Sequence, residues 1–280
     1  MSTDGKMSHW RVERHDDGVV VAAYRNDPMN YFFADGAAQF AELVDSWADP
    51  SVRAVVLTGD VPGKFLTHYS VEELVAVAED REALPSVCPQ LTDGYHALLE
   101  QMRSLPKPVI VAMTGDTMGG GFELSMAADI RIAEDGPYRI GLLETKLGII
   151  PGGSGTQRLA RMLGPAAAVE IVMRGRVFTP RQAAARGLVH EAVPDAKARA
   201  LEIAHELAAL SPVAVAQAKR AVYQGVDRPL AEGLRLETDA FLQTMLSDEG
   251  LETMRQYVDT PLEQRRAWAE PEPDSERVTS

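Results

Sequence analysis

The chain is poor in cysteine. Cys88 is its one cysteine in 280 residues, which excludes a disulfide framework within the chain and fits a reducing, cytoplasmic setting. In "LPSVCPQL" it has no spaced partner, so it suggests no zinc site and reads as an incidental thiol. No window approaches 18 consecutive apolar residues, so no membrane span is expected. The opening "MSTDGKMSHW" lacks the apolar stretch of a secretory signal. Cationic charge is short as well: 28 Lys and Arg stand against 41 Asp and Glu, a formal net charge of −13. That argues against a nucleic-acid-binding surface, which needs a basic footprint. It also leaves any anionic ligand dependent on local donors, against the field of the whole protein. There is no G-K-[ST] of a P-loop, and no glycine fingerprint with an acidic residue about 20 positions on.

What is present describes a globular chain. Apolar residues make up 45% and charged residues 25%, enough for a sizeable core in one large domain or two modest ones. "GVVVAAYR" (18–25), "RAVVLTGD" (53–60), "PVIVAMTG" (108–115) and "DIRIAED" (129–135) are apolar, β-branched runs that read as strands. Between them, Phe40, Leu43, Val44 and Trp47 fall at helical spacing, as do Tyr95, Leu98, Leu99 and Met102. Strands alternating with helices predict a layered α/β core. The stretch from Glu79 to Asp93, with two prolines and little periodicity, reads as a loop. After "GLVHEAVP" (187–194) the pattern turns helical. The expected divisions are an N-terminus over 1–8, a core over 9–194, a helical region over 195–265 and a tail over 266–280. The last residues, "AEPEPDSERVTS", read as a mobile tail.

Two segments carry chemistry. In "TGDTMGGGFELSMAADIRIAED" (114–135), Gly119, Gly120 and Gly121 open a helix and Glu123 sits in its first turn. Glycines at a strand-to-helix turn permit close backbone approach. The helix start offers unpaired N–H groups and a positive dipole end, which suit an oxyanion developing on a carbonyl. The plainer reading of Glu123 is a favourable first-turn acid. "IGLLETKLGIIPGGSGTQRLARMLG" (140–164) repeats the device. Glu144 stands in an apolar stretch, followed by Pro151, Gly152, Gly153 and Gly155, and a helix begins near Thr156. Lys146 or Arg158 could simply pair with Glu144. Alternatively the two glutamates converge, push their pKa values apart, and divide acid and base work.

These two segments resemble the signatures of the enoyl-CoA hydratase/isomerase, or crotonase, family. "RAVVLTGD", "LPKPVIVAMTG" and "RGRVFTPRQAAARGLVHEAVP" agree in the expected order, and the resemblance spans roughly residues 10 to 260. It implies an α/β crotonase (ClpP-like) spiral of repeated strand–strand–helix units with a helical C-terminal region, assembled as trimers or hexamers. It implies an acyl-CoA thioester as substrate and partner, no separate cofactor, and no metal. The thioester oxygen would sit between the backbone N–H groups of Gly120 and Tyr69. Glu123 and Glu144 match the family's catalytic pair. Met29, His68, Ser70, Val71, Gly119, Pro151 and Gly152 fall where substrate and CoA would bind.

The sequence departs from the family pattern at three places. Where many hydratases carry a small triplet in the first oxyanion loop, this chain has His68, Tyr69 and Ser70. A backbone donor at Tyr69 survives any side chain, and the plainer reading of His68 is a hydrogen-bonded loop residue. The turn "EDGPYRIG" is one residue longer than in typical hydratases, which bears on the aim of Glu144. After Arg25, the loop "RNDPMNYFF" lacks the basic residue often found near CoA. The reaction expected is reversible addition of water to a 2-enoyl-CoA. Double-bond isomerisation and CoA-independent hydrolysis of a β-diketone are the alternatives, and a non-enzymatic assembly protein ranks last.

Overall fold

The computed structural model describes residues 9–269. The expectations for residues 1–8 and for 270–280 of the tail lie outside the described residues. The described residues divide into two compact units, one ending at Ala209 and the other beginning at Leu210.

The first unit is built on a six-stranded sheet in the order β1-β2-β3-β5-β7-β10. Its first strands are β1 (Trp10–Arg14), antiparallel to β2 (Val19–Tyr24). Helix α1 (Ala34–Ser46) leads to β3 (Ala54–Gly59) and the short β4 (Gly63–Lys64). Helices α2 (Val71–Glu79) and α3 (Leu84–Ser104) precede β5 (Val109–Met113) and β6 (Gly115–Met118). Then come α4 (Gly119–Ala127), β7 (Ile130–Glu134), β8 (Ile140–Gly141) and a 3-10 turn over Glu144–Leu147. The unit ends with α5 (Gly155–Leu163), α6 (Pro165–Met173), β9 (Val177–Phe178), α7 (Pro180–Ala184), β10 (Glu191–Val193) and α8 (Ala196–Ala209). From β2 to β10 the neighbours in the main sheet run parallel. The remaining strands form a second sheet, β4-β6-β8-β9.

The two faces of the main sheet follow the period of two in its strands. Val20, Ala22, Val55, Leu57, Val109 and Val111 join a core with Phe40, Val44 and Trp47 of the α1 region, Leu98, Leu99 and Met102 of α3, and Phe122 and Leu124 of α4. Val19, Val21, Ala54, Val56, Ile110 and Ala112 face the other way and pack on Ala196, Ala200, Ile203, Ala204 and Ala208 of α8. Burial on both faces explains why these strands read as continuous apolar runs rather than alternating ones.

Two boundaries of the first unit differ from the sequence reading. The division expected at 195 falls at 209 instead, because α8 covers one face of the sheet and belongs with it. Its alanines at i, i+4, i+8 and i+12 form a narrow stripe that lets the helix lie close to the strands. The loop expected over 79–93 is helical from Leu84 onward. Pro85 lies in the first turn, where a missing N–H costs nothing, and Pro89 gives up one bond a turn later.

In the second unit, α9 (Pro212–Gly225), α10 (Leu230–Met245) and α11 (Asp248–Asp259) are followed by α12 (Arg265–Ala269). The tail expected from 266 therefore begins inside a helical turn. Ser211 and Ser247 cap α9 and α11 through their hydroxyls. Among the described residues no helix is long and apolar enough to cross a membrane.

Candidate active site

Each glycine of the triplet has its own neighbour. A Cβ on Gly121 would fall 2.0 Å from the Leu66 carbonyl oxygen, so the segment Phe65–Tyr69 runs directly against α4. A Cβ on Gly120 would stand 3.1 Å from Tyr69 Cβ and 3.5 Å from Tyr69 N. A Cβ on Gly119, which has φ +50°, would stand 3.3 Å from Glu144 Oε1 and 3.5 Å from His68 Cβ. The triplet thus brings Leu66, Tyr69, His68 and Glu144 onto the start of one helix. The segment is pinned there by Phe65 N–H to the Asp116 carbonyl (3.2 Å) and Met118 N–H to the Thr67 carbonyl (2.9 Å).

Tyr69 and Gly120 present neighbouring backbone N–H groups. Gly120 lies in the first turn of α4, whose N–H groups have no partner within the helix. Around Tyr69, Phe32 N–H donates to the His68 carbonyl at 2.8 Å and Ser70 N–H to the Phe32 carbonyl at 2.6 Å. Those bonds fix the peptides on either side and leave the Tyr69 N–H itself out of the backbone pairing. The Tyr69 phenol is turned toward Glu73, and burial together with that carboxylate raises its pKa.

Glu123 lies four residues after Gly119, on the same face of α4, and is 3% exposed. Its Oε1 accepts from the N–H of Gly153 at 2.8 Å and of Gly155 at 2.7 Å. Glu144, 7% exposed, opens the 3-10 turn. Both of its carboxylate oxygens are buried without a hydrogen-bond partner, and the pairing with Lys146 or Arg158 left open by the sequence is not made. Arg158 instead bonds Ser154 Oγ at 2.8 Å and Glu100 at 3.3 Å.

Burial dominates the electrostatics. It pushes Glu123 up to about 8, helped by the charge of Glu144 and opposed by the two N–H bonds and by Arg158. It pushes Glu144 up to about 7. The backbone N–H groups of Leu143 and Glu144 temper that rise without aligning as full hydrogen bonds to either oxygen. Two neighbouring carboxyls that burial raises toward neutrality are suited to serve as an acid and a base together.

The remaining expected residues surround this centre. His68 bonds the Tyr69 carbonyl through Nδ1 at 2.7 Å and stacks on Tyr31 at 4.2 Å between ring centroids. Ser70 caps α2 and Val71 is its first residue, both half-buried. Met29 lies half-buried in the loop after β2, where buried Asn30 accepts from Asn26 N–H at 2.7 Å and donates to the Phe65 carbonyl. Arg25, at the start of that loop, pairs with Asp27 at 2.7 Å. Pro151 is buried against Gly155, whereas Gly152 is exposed and its carbonyl accepts from His96 at 2.8 Å. Three residues at the centre were not singled out from sequence as contacts of Glu123 or Gly120. Gly153 and Gly155 read only as a turn, and Tyr95 read only as helical core. Among the described residues no group of three or more His, Cys, Asp or Glu side chains could hold a metal ion.

The enoyl-CoA hydratase/isomerase family model matches residues 18–269. The chain belongs to that family. It is similar to the human mitochondrial methylglutaconyl-CoA hydratase, 33% identical over 260 residues, covering 90% of this chain and 75% of that protein. It is also similar to the bovine mitochondrial enoyl-CoA hydratase domain-containing protein 2, 32% identical over 239 residues, covering 83% and 77%. Among solved structures, the enoyl-CoA hydratase of Geobacillus kaustophilus superposes with a TM-score of 0.84 at 28% identity, covering 91% of this chain and 95% of that one. The enoyl-CoA hydratase of Bacillus anthracis gives 0.83 at 29%, covering 90% and 96%. The crotonase fold and an enzyme of the crotonase superfamily are thereby shown. The two glycine turns described above both lie inside the matched span.

Proposed function

We propose that the chain is an enoyl-CoA hydratase-type lyase that adds water reversibly to a 2-enoyl-CoA thioester. One observation carries this reading. Two buried carboxyls meet at the start of α4, one held by two backbone N–H groups and the other by none, beside the N–H groups of Tyr69 and Gly120.

The thioester oxygen accepts from Tyr69 and Gly120. That withdraws electrons from the conjugated double bond and stabilises the enolate that forms as water attacks. The roles follow from hydrogen bonding rather than from the raised pKa values, which place Glu123 slightly above Glu144: Glu144, with no donor on either oxygen, delivers the proton to the α-carbon. Glu123 keeps Oε1 on its two N–H groups and takes the proton of the attacking water at Oε2, as the hydroxyl oxygen bonds to the β-carbon. Exchange with water returns the proton from Glu123 to Glu144, and dehydration runs the same steps backwards. Coenzyme A arrives as part of the substrate, and no further cofactor takes part. A reducing compartment suits the exposed free thiol of Cys88.

The test is hydration of a panel of straight, branched and carboxyl-bearing 2-enoyl-CoA thioesters, followed by loss of the conjugated thioester absorbance. The carboxyl-bearing member is included because curated relatives are named methylglutaconyl-CoA hydratase. Glu144→Gln and Glu123→Gln should each lower turnover by ~10² or more with the fold intact. Near-wild-type turnover in Glu144→Gln overturns the proton-donor role. Double-bond migration that tolerates Glu123→Gln moves the reading to an isomerase.

A further inference from the structure

Tyr95 touches both glycine turns. It lies on α3 one turn before Leu98 and Leu99, on the face that enters the core. Its hydroxyl donates to the Gly120 carbonyl at 3.0 Å. Its ring fills the space a side chain at Gly153 would need: a Cβ there would fall 2.6 Å from Tyr95 Cε1 and 2.7 Å from Cδ1. Gly120 carries one of the two N–H groups beside Tyr69, and Gly153 N–H holds Glu123 Oε1. The two turns are remote in sequence, and this one side chain spans them.

We propose that Tyr95 is a positioning residue for the reaction, setting the aim of Gly120 N–H at the thioester oxygen while bracing the turn that holds Glu123. The inference rests on the hydratase reading given above. The Gly120 carbonyl sits in the first helical turn, so its own i+4 partner uses one lone pair and the phenol takes the other. A donor on that second lone pair resists rotation of residue 120 about the helix entry. Glycine has no side chain of its own to do this, and at Gly119, with φ +50°, the backbone just before it is in the left-handed region. Burial and the nearby Glu123 charge raise the phenol well above its ordinary value. The hydroxyl therefore remains a donor throughout the range in which the glutamates titrate. The ring, wedged against Phe32 at 6.2 Å between centroids and against Gly153, gives the hydroxyl a fixed origin.

The experiment uses the full chain and an aryl-conjugated enoyl-CoA whose absorption moves to longer wavelength when its carbonyl is polarised. Tyr95→Phe keeps the ring and removes only the donor. It should lower kcat by about 2- to 13-fold, the worth of one neutral hydrogen bond, change KM by less than about 3-fold, and shrink the red shift of the bound chromophore. Glu144→Gln should retain that red shift while losing turnover. Should Tyr95→Phe fail to fold, a ring-fluorinated tyrosine at 95 makes a stronger donor and should enlarge the shift. An unchanged kcat and an unchanged red shift in either variant overturn the role of Tyr95. A wild-type protein that binds the chromophore without any red shift overturns the underlying oxyanion reading instead.

Discussion

Gly155 donates its N–H to Glu123 Oε1 at 2.7 Å, and a Cβ on Gly155 would stand at the same 2.7 Å from that oxygen. The residue that holds the carboxylate therefore has no room for a side chain. The same Cβ would come within 2.9 Å of Pro151 Cβ and 3.1 Å of Glu123 Cγ, so two residues obstruct it.

Gly155→Ala separates crowding from backbone strain, because Gly155 is not among the positive-φ glycines. The added methyl must displace the Glu123 carboxylate. Overpacking of this kind costs about 1–3 kcal/mol, which lowers Tm by roughly 3–9 °C in a unit of this size. Turnover should fall at least ~10-fold. Gly94→Ala is the control: a Cβ there meets nothing within 4 Å, and inside α3 it should stabilise by up to ~1 kcal/mol. A Gly155→Ala variant with wild-type kcat and pH profile would mean that the carboxylate position is irrelevant to the chemistry.

Both glutamates and both glycine turns were legible in the sequence, because a lone carboxylate in an apolar run and a cluster of glycines are local signals. The strands of the main sheet were legible for the same reason. What the local pattern did not carry was which carboxylate receives the donors. Glu123, expected in the first turn, is the fifth residue of α4, past that turn, and its bonds come from Gly153 and Gly155, on a turn remote in sequence. Tyr95 kept helical spacing with Leu98 and Leu99, so its hydroxyl was hidden in a core pattern; a tyrosine rather than a phenylalanine at a core position was the available hint. The helix over 84–92 was hidden by its prolines. The assignment of α8 was lost because small alanines mark a helix that covers a sheet less plainly than large residues do.

The raised carboxyl pKa values have a consequence for stability. Glu144 moves from an ordinary 4.5 to about 7 on folding, so between those values the folded chain binds more protons than the unfolded chain. Stability contributed by the neutral group is fully present below about pH 4.5 and is lost as pH rises through 7. Glu144→Gln removes that loss. The variant should match the wild type near pH 5 and exceed it at pH 8, by at most about 3 kcal/mol from the size of the shift. Thermal melts across pH 5 to 8 test this, read as the difference between the two proteins. Parallel curves would show that Glu144 ionises in the folded chain as readily as in the unfolded one.

The second unit leads to a prediction about assembly. Its helix α10 exposes Leu230 (78%), Leu234 (49%), Phe241 (64%) and Met245 (44%). These fall at steps of four, seven and four, so they form one stripe along the helix. In the same helix only Ala240 is buried. Leu246 (69%), Val258 (64%) and Leu262 (77%) add further exposed apolar area in that unit. Monomers seldom leave so large an apolar surface open, and burying each such side chain is worth about 1.5–3 kcal/mol. A second copy of the chain is the expected cover, which agrees with the trimers or hexamers that the resemblance implies. Light scattering on the purified full chain should therefore give a mass of several protomers. Replacing both Phe241 and Met245 with Glu should lower that mass, or leave aggregate if the protomer does not stand alone. Wild-type protein that stays monomeric at high concentration would leave the stripe without a role in assembly.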